Sequence, residues 1–154
     1  DTSGVTFNPD DSEYIEKVDK LLKYTDLIML DIKHIDDEEH KKLTGHSNKN
    51  ILAFARYLSD KNFPVWIRHV TVPGITYKKE YLTRLGEFLA ELKNVKALDV
   101  LPYHTMGVPK YEKLGIPYRL EGVEPLDKAD AVKARNIILY TIKKCREEKN
   151  NDNQ

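Results

Sequence analysis

Three short stretches of the chain alternate between apolar and polar residues, and longer segments with helical periodicity separate them. The stretch 27–33 predicts a strand with one apolar face and one face that ends in charged groups. The apolar face consists of Ile28, Leu30 and Ile32, and the opposite face of Met29, Asp31 and Lys33. Because parallel α/β folds bind ligands at the carboxyl ends of their strands, the charged end of this strand is the first candidate site.

Two further strands and four helices complete the predicted pattern. The strands span 65–72 and 97–103, and the helices span 10–25, 48–61, 77–92 and 127–146. The segment 35–48 runs from acidic to basic residues and contains a helix stop or turn at Gly45, whereas 108–126 is rich in proline and glycine and predicts irregular structure. We expect one domain over 1–146, followed by a polar, frayed tail over 147–154.

The order of these elements predicts the fold class. Strands that alternate with helices of this length pair in parallel and are joined by right-handed crossovers. The class is therefore α/β, with three parallel strands alternating with helices. Three strands are too few to close a barrel, so we expect half of a barrel or a small open sheet. The chain starts at Asp1 with no initiator methionine and no preceding strand, which indicates a truncated sequence.

Composition narrows the class of protein. The formal net charge is +0 over 154 residues, with acids and bases spread along the chain, which argues against a nucleic-acid-binding module and against a membrane-surface protein. No apolar run is long enough for a membrane span and no signal peptide is recognisable, so we expect a cytoplasmic protein. Because Cys145 is the only cysteine, an intrachain disulfide and a multi-cysteine metal site are excluded.

Polar side chains mark the carboxyl end of each predicted strand. They are Asp31 and Lys33 on the first strand, Arg68 on the second and His104 on the third. Period-two alternation predicts that they share one face of the sheet with Trp66, Val70, Leu98, Val100 and Pro102. Parallel strands in register would therefore bring the four polar groups together at the carboxyl rim.

The charged residues of this rim leave several interpretations open. Asp31 and Lys33 could form a structural ion pair that holds the strand in register. As a functional pair, Lys33 could hold a carboxylate or hydroxyl of a ligand while Asp31 accepts from a hydroxyl or ammonium. A third interpretation makes Lys33 a Schiff-base lysine. Arg68 lies among apolar neighbours and needs an anionic or carbonyl partner.

The histidines offer no metal site by their spacing. His104, at a strand end, is either a hydrogen-bonded rim residue or a member of the site. The sequence contains no closely spaced HxH or HxxH pair. We interpret the other four as surface or loop residues: His34, His40, His46 and His69.

Four segments, taken together, carry a specific family resemblance. They are Asp1-Thr2-Ser3-Gly4, Met29-Leu30-Asp31-Ile32-Lys33, Val65-Trp66-Ile67-Arg68 with Val72-Pro73-Gly74, and Leu101-Pro102-Tyr103-His104 with Gly107. In this order and spacing they resemble the C-terminal part of the pyruvate formate-lyase activating enzymes, which are glycyl-radical-enzyme activases of the radical SAM superfamily. The resemblance covers nearly the whole chain. It implies that the chain supplies the last three strands of a partial (β/α)6 barrel of the TIM type.

The resemblance also implies two binding sites. The S-adenosylmethionine site comprises Asp31, Ile32, Lys33 and His104. The lumen residue on the substrate side is Arg68. A monovalent-cation site beside the cofactor comprises Asp1, Thr2, Met29 and Asp31. Carboxylate and carbonyl oxygens suit a hard cation.

The cluster motif of the family is the main departure. In the family, a [4Fe-4S] cluster reductively cleaves S-adenosylmethionine, and the resulting 5′-deoxyadenosyl radical abstracts a glycine hydrogen from the partner enzyme, pyruvate formate-lyase. The CxxxCxxC segment that binds the cluster is not found in this sequence. We therefore expect the activity in a longer protein and an inactive isolated chain. The alternatives are a stand-alone half-barrel that binds a ligand or a protein partner, and a lyase that uses Lys33.

Half of a barrel exposes surface that a whole barrel covers. The predicted apolar members of the exposed lumen face are Met29, Trp66, Val70, Val100 and Pro102. The strand at 27–33 is also expected to have a free edge on one side. An apolar patch of this kind favours a partner, and closed two-fold dimers are the commonest oligomers. We expect self-association through the carboxyl rim or this edge rather than through the helical exterior.

Overall fold

The computed structural model describes residues 1–152 and contains a three-stranded parallel sheet with helices between its strands. In chain order the elements are α1 Ser12–Leu22, β1 Ile28–Asp31, α2 Asp37–Thr44, α3 Lys49–Asp60, β2 Val65–Thr71, α4 Lys79–Glu91, β3 Val95–Pro102, α5 Val108–Leu114 and α6 Lys128–Asn151. The strand order is β1-β2-β3. The predicted fold class, an open α/β sheet of three parallel strands, is confirmed. Within the described range, no helix is both long and apolar enough to cross a membrane.

Two segments predicted to lack regular structure are helical in part: 108–126 over Val108–Leu114, and the tail as far as Asn151, whereas 115–126 is irregular as predicted. The prolines and glycines that indicated a loop instead mark the ends of α5, where Pro109 lies in the first turn and Gly115 follows the last with a left-handed φ of 64°. Helix α6 continues to Asn151, so the tail predicted to fray from Glu147 is helical that far. Lysine–glutamate pairs one turn apart, such as Lys143 with Glu147, support this extension. The last two residues of the predicted tail lie outside the described range.

The helix ends follow from local side-chain chemistry. Asp11 accepts a hydrogen bond from the Tyr14 amide at the start of α1. Asp36 caps α2 in the same way, and Gly45 ends α2 in a left-handed conformation with φ 84°. Asp127 caps α6. These caps confirm the predicted starts of α1 and α6 and the predicted stop at Gly45.

One face of the sheet is buried against the helices and the other is open. The buried face includes Ile28, Leu30, Ile32, Val65, Ile67 and Leu98, which belong to a single core with Leu58, Leu85, Leu89 and Ile138. On the open face, Trp66 is 37% exposed and Leu101 is 44% exposed. The alternation in β1 and β2 predicted this division correctly, because one strand face supplies the core and the other remains free.

The third strand is out of phase with the prediction because of an irregularity where it begins. Val65 pairs with Val95, but the next residue, Trp66, pairs with Ala97. Lys96 is therefore an extra residue on β3 without a partner on β2. An insertion of one residue moves every later side chain to the opposite face of a strand.

This shift changes which side chains face the open side. Beyond it, Arg68 pairs with Asp99 and Val70 with Leu101, so Asp99 and Leu101 lie on the open face. The prediction that Leu98, Val100 and Pro102 share the face of Arg68 is wrong, since they alternate with Asp99 and Leu101 and lie on the helix-covered face. The open face consequently carries a second carboxylate opposite Arg68.

The outer edge of β1 is not bare. Thr2 forms an isolated parallel bridge with Leu30. The Thr2 amide donates to the Met29 carbonyl at 2.9 Å, and the Asp31 amide donates to the Thr2 carbonyl at 3.0 Å. The expectation of a free edge is therefore corrected at this point. The bridge also places Asp1 beside the carboxyl end of β1.

Helices α4 and α6 approach closely at Gly86. A Cβ atom built on Gly86 would lie 2.7 Å from the Cβ atom of Thr141 and 2.9 Å from the carbonyl oxygen of Ile138. Real side chains do not adopt such distances, so a larger residue would push the two helices apart.

We expect Gly86→Ala to lower the free energy of unfolding by about 1–3 kcal/mol, because overpacking outweighs the gain in helix propensity. Urea denaturation measures the change. Gly107→Ala is the control, since Gly107 has an ordinary φ of −80° and a Cβ atom there meets nothing within 4 Å. A Gly86→Ala variant as stable as the wild type would show that the helices separate without cost.

Candidate functional site

Four charged side chains form a continuous chain at the carboxyl end of β1. The Lys33 ammonium lies 2.9 Å from Asp31 Oδ2, and Arg68 Nε lies 2.8 Å from Asp31 Oδ1. Arg68 Nη2 lies 2.6 Å from Asp1 Oδ1. The sheet register produces this arrangement, because Asp31 and Arg68 are direct neighbours on β1 and β2 and the Thr2 bridge supplies Asp1. The anionic partner predicted for Arg68 is thus provided by two carboxylates.

The electrostatics of Asp31 are set by its two cationic partners. Only 15% of its side chain is exposed, and burial alone would raise its pKa. Hydrogen bonds from Arg68 and Lys33 outweigh burial and hold the pKa of Asp31 below its ordinary value. The hydrogen bond to Asp31 raises the pKa of Arg68, and the nearby Asp99 carboxylate acts in the same direction. Asp31 and Arg68 are consequently both charged at neutral pH.

Of the four polar groups predicted to meet at the carboxyl rim, Lys33 and His104 line one cavity. The cavity lies at the carboxyl rim and measures about 520 Å³. Its other walls include Thr44, Tyr103, Tyr118 and Arg119. Asp31 and Arg68 are not among its lining residues, so Lys33 links the ion pairs of the open face to the cavity. A cavity of this volume is of the size that holds small ligands and cofactors.

The segment after β3 forms the outer wall of this cavity, which the sequence did not predict. The Tyr103 and Tyr118 hydroxyls lie 2.8 Å apart, and the ring of Tyr111 packs edge-on against that of Tyr118. Arg119 donates from Nη1 to the carbonyl of Lys42 at 3.3 Å. Burial, together with the hydrogen bond to Tyr103, raises the pKa of Tyr118 to about 12. The wall therefore presents the neutral phenol of Tyr118.

Ile32 and Lys33 follow β1 rather than belonging to it. The Ile32 side chain is fully buried, its amide donates to the Arg68 carbonyl at 3.0 Å, and its carbonyl accepts from His69 Nδ1 at 2.8 Å. The Lys33 side chain is 38% exposed and reaches the cavity. Its amine nitrogen lies 2.9 Å from Asp31 Oδ2 in an ion pair, whereas a Schiff-base lysine must present a free amine to a carbonyl. The geometry therefore disfavours the lyase interpretation.

Three of the four histidines interpreted as surface or loop residues are buried. His34, His40 and His69 are each no more than 3% exposed, and only His46 of this group is exposed. Burial lowers the pKa of His34, and it lowers the pKa of His69 to about 4. The alternation of apolar and polar residues along the strands does indicate two of these buried positions. His34 continues the buried positions of β1, and His69 continues those of β2.

The residues predicted to bind a monovalent cation lie together at the outer edge of β1. Asp1 and Asp31 are joined through the guanidinium of Arg68, and Thr2 is hydrogen-bonded to Met29. Across residues 1–152, no group of three or more His, Cys, Asp or Glu side chains is arranged to hold a metal ion. An oxygen-rich cation site here would thus depend on two carboxylates and on neutral oxygens.

Comparison with known proteins assigns the family. The family model described as "Radical SAM superfamily" matches residues 1–86. The chain belongs to the radical SAM superfamily. The predicted resemblance to pyruvate formate-lyase activating enzymes is confirmed by the sequence identity of this chain to proteins of that name. It is 53% identical over 141 residues to the pyruvate formate-lyase-activating enzyme of Streptococcus mutans, a match that covers 92% of this chain.

A second relative and a solved structure agree with this assignment. The pyruvate formate-lyase-activating enzyme of Staphylococcus epidermidis is 57% identical over 127 residues, which cover 82% of this chain. The two matches cover 53% and 50% of those relatives, so this radical SAM chain spans about half the length of the curated relatives it matches. A crystal structure of a domain of pyruvate-formate lyase-activating enzyme from Bacteroides vulgatus shares the fold, with a TM-score of 0.66 and 21% identity over 82% of this chain and 69% of that one.

Proposed function

We propose that this chain supplies part of the S-adenosylmethionine site of a radical SAM enzyme that activates pyruvate formate-lyase by generating a glycyl radical on it. One observation carries the proposal. Lys33 is held by Asp31 at the carboxyl end of β1 and opens into the same rim cavity as His104. The names of the relatives support the activity and the partner.

The side chains present fit the cofactor. S-adenosylmethionine carries a carboxylate, an ammonium and ribose hydroxyls. The Lys33 ammonium suits the carboxylate, and the Asp31 carboxylate suits an ammonium or a hydroxyl. His104 can donate to or accept from the same ligand at the opposite wall. Arg68 keeps Asp31 charged through their 2.8 Å hydrogen bond, and Ile32 fixes the backbone between Asp31 and Lys33.

The residues present do not fit a [4Fe-4S] cluster. Such clusters are held by several cysteine thiolates, and the one cysteine of the sequence, Cys145, lies on α6. When bound with the cluster, S-adenosylmethionine supplies the radical that removes the glycine hydrogen. The proposal places the cluster ligands outside this sequence. It retains a monovalent-cation site at Asp1, Thr2, Met29 and Asp31, and the cytoplasmic location expected from the sequence stays a prediction.

The proposal is tested in a chimera in which this chain replaces its matching segment in the Streptococcus mutans relative, called the swap chimera below. Calorimetric titration with S-adenosylmethionine should give a Kd within about 10-fold of that of the unmodified relative, a difference of about 1.4 kcal/mol. Adenosine, which has no carboxylate, serves as the control ligand and should bind more weakly. A folded swap chimera that does not distinguish the two ligands would contradict the proposal.

The isolated chain is expected neither to bind an iron–sulfur cluster nor to cleave S-adenosylmethionine. Without clustered thiolates it has no ligand set for a cluster. Anaerobic reconstitution with iron and sulfide should therefore leave no stoichiometric iron after desalting, and S-adenosylmethionine should remain uncleaved in the presence of dithionite. The swap chimera, treated in parallel, is the positive control. Reductive cleavage by the isolated chain would contradict this expectation.

We also propose that the isolated chain self-associates through its open sheet face. Trp66 and Leu101 expose apolar surface there, among the charges of Asp31, Arg68 and Asp99. Light scattering across a dilution series should show dissociation of a dimer, and Trp66→Ser should shift the dissociation to higher concentration. Tyr140→Ser, at a 70% exposed residue of helix α6, is the matched control. If Trp66→Ser and Tyr140→Ser changed the dissociation concentration equally, the dimer contact would not lie on the open sheet face.

A further inference from the structure

The backbone that carries Lys33 is held by side chains from other elements. Lys33 lies two residues beyond the end of β1, and the helix α2 begins only at Asp37. The carbonyls on both sides of Lys33 nevertheless have partners. His69 Nδ1 lies 2.8 Å from the Ile32 carbonyl. Asn48 Nδ2 donates to the His34 carbonyl at 3.0 Å and to the Ile35 carbonyl at 2.8 Å.

Asn48 is placed to hold this loop rather than its own helix. It occupies the N-cap position of α3, where an asparagine side chain ordinarily accepts a hydrogen bond from an amide of the first turn. Here the side chain makes no such bond, and both of its amide hydrogens serve the loop after Lys33. Asn48 is only 2% exposed, and its own backbone amide donates to Asp37 Oδ1 at 2.9 Å. Hydrogen bonds therefore anchor both the side chain and the backbone of Asn48.

The position of the Lys33 ammonium depends on this loop. The ammonium lies 2.9 Å from Asp31 and at the same time lines the rim cavity. Because the Lys33 side chain extends from this loop, a displacement of the loop would change how the ammonium is shared between Asp31 and the cavity. Loss of the Asn48 amide would leave the His34 and Ile35 carbonyls without these two donors and would free the loop to move.

We propose that Asn48 is a positioning residue for Lys33, which it holds in the orientation that meets an anionic group of the bound ligand. The identity of that ligand rests on the proposed function. The role is one of orientation, since the Asn48 side chain contacts the loop and is not among the residues that line the cavity. A binding group is effective only when the residues around it hold it close to the productive geometry.

Asn94 offers a matched control within the same chain. It too is buried, and its Nδ2 donates to a loop carbonyl, that of Phe63, at 2.6 Å. It lies just before β3, at the amino end of the strands and opposite the rim. Asn94→Ala therefore removes the same chemistry without touching the loop of Lys33.

Two measurements test the proposal. In the isolated chain, the side-chain 13Cε resonance of Lys33, assigned through Lys33→Arg, should shift in Asn48→Ala toward the value of an exposed lysine, and should not shift in Asn94→Ala. In the swap chimera, Asn48→Ala should weaken S-adenosylmethionine binding by about 10- to 100-fold more than Asn94→Ala. Urea denaturation of both variants shows whether their losses of stability are comparable.

The outcomes separate the two proposals. An unchanged Lys33 resonance in Asn48→Ala, or an affinity loss equal to that of Asn94→Ala, would overturn the role of Asn48. A swap chimera that does not bind S-adenosylmethionine would overturn the proposed function, and the Lys33 resonance would still decide the role of Asn48. If Asn48→Ala does not fold, Asn48→Ser retains one donor, and a shift of intermediate size is expected.

Discussion

Replacing Lys33 with alanine in the swap chimera is expected to weaken S-adenosylmethionine binding by about 10- to 150-fold. A hydrogen bond to a charged group contributes roughly 1.5–3 kcal/mol, and every 1.4 kcal/mol is tenfold in affinity. The loss here should lie toward the upper end, because Lys33→Ala also leaves the Asp31 carboxylate with Arg68 as its remaining partner. Calorimetric titration measures the Kd directly.

The matched control for this substitution is Lys96→Ala. Lys96 is exposed on β3 near the amino end of the strands, away from the cavity. We expect its Kd to equal that of the unsubstituted chimera. Asp31→Ala and His104→Ala should each weaken binding in the same direction as Lys33→Ala. If all three variants retain the affinity of the chimera, the assignment of this rim to the cofactor is wrong.

Acidification from pH 7 to pH 5 is expected to lower the free energy of unfolding by about 2 kcal/mol through His69 alone. Burial holds the pKa of His69 at about 4 in the folded chain, compared with an ordinary value of 6.5. As the pH falls below 6.5, His69 becomes protonated in the unfolded chain but stays neutral in the folded chain. The free energy of unfolding therefore decreases until the pH reaches about 4. His34, whose pKa is also lowered by burial, acts in the same direction.

The substitution that isolates this effect is His69→Gln. A glutamine amide can donate to the Ile32 carbonyl, as His69 Nδ1 does at 2.8 Å, but it does not titrate. Urea denaturation at pH 7 and pH 5 should show a smaller loss of stability for His69→Gln than for the wild type. His46→Gln, at an exposed histidine, should leave the loss unchanged. Identical pH dependence in His69→Gln and the wild type would mean that His69 is accessible to protons in the folded chain.

Local patterns predicted much of the fold and part of the site. Alternation placed Asp31 and Arg68 correctly on the open face, because β1 and β2 pair without a break up to these two residues. The same alternation also indicates buried sites for His34 and His69, although histidine as a residue type is only intermediate in its tendency to be buried. The sequence predicted a loop where α5 lies, because proline and glycine are common both in loops and at the two ends of a helix. In α5, Pro109 lies in the first turn and Gly115 follows the last turn.

Other features of the site depend on tertiary structure and could not be predicted from local patterns. The extra residue Lys96 reverses the phase of β3, and nothing in the local sequence fixes where a β-bulge falls. Asp99 was therefore missed as the second carboxylate opposite Arg68 on the open face. Asn48 begins the helix predicted over 48–61, and only its three-dimensional surroundings show that its side chain holds a different segment.

Glycyl-radical formation by the swap chimera tests the central claim most directly. The chimera is reconstituted anaerobically with iron and sulfide, reduced, and mixed with pyruvate formate-lyase and S-adenosylmethionine. Electron paramagnetic resonance should then show a glycyl radical on pyruvate formate-lyase, and the signal should be reduced or lost when the chimera carries Lys33→Ala. A folded, cluster-loaded chimera that gives no radical, while the unmodified Streptococcus mutans relative does, would contradict the account.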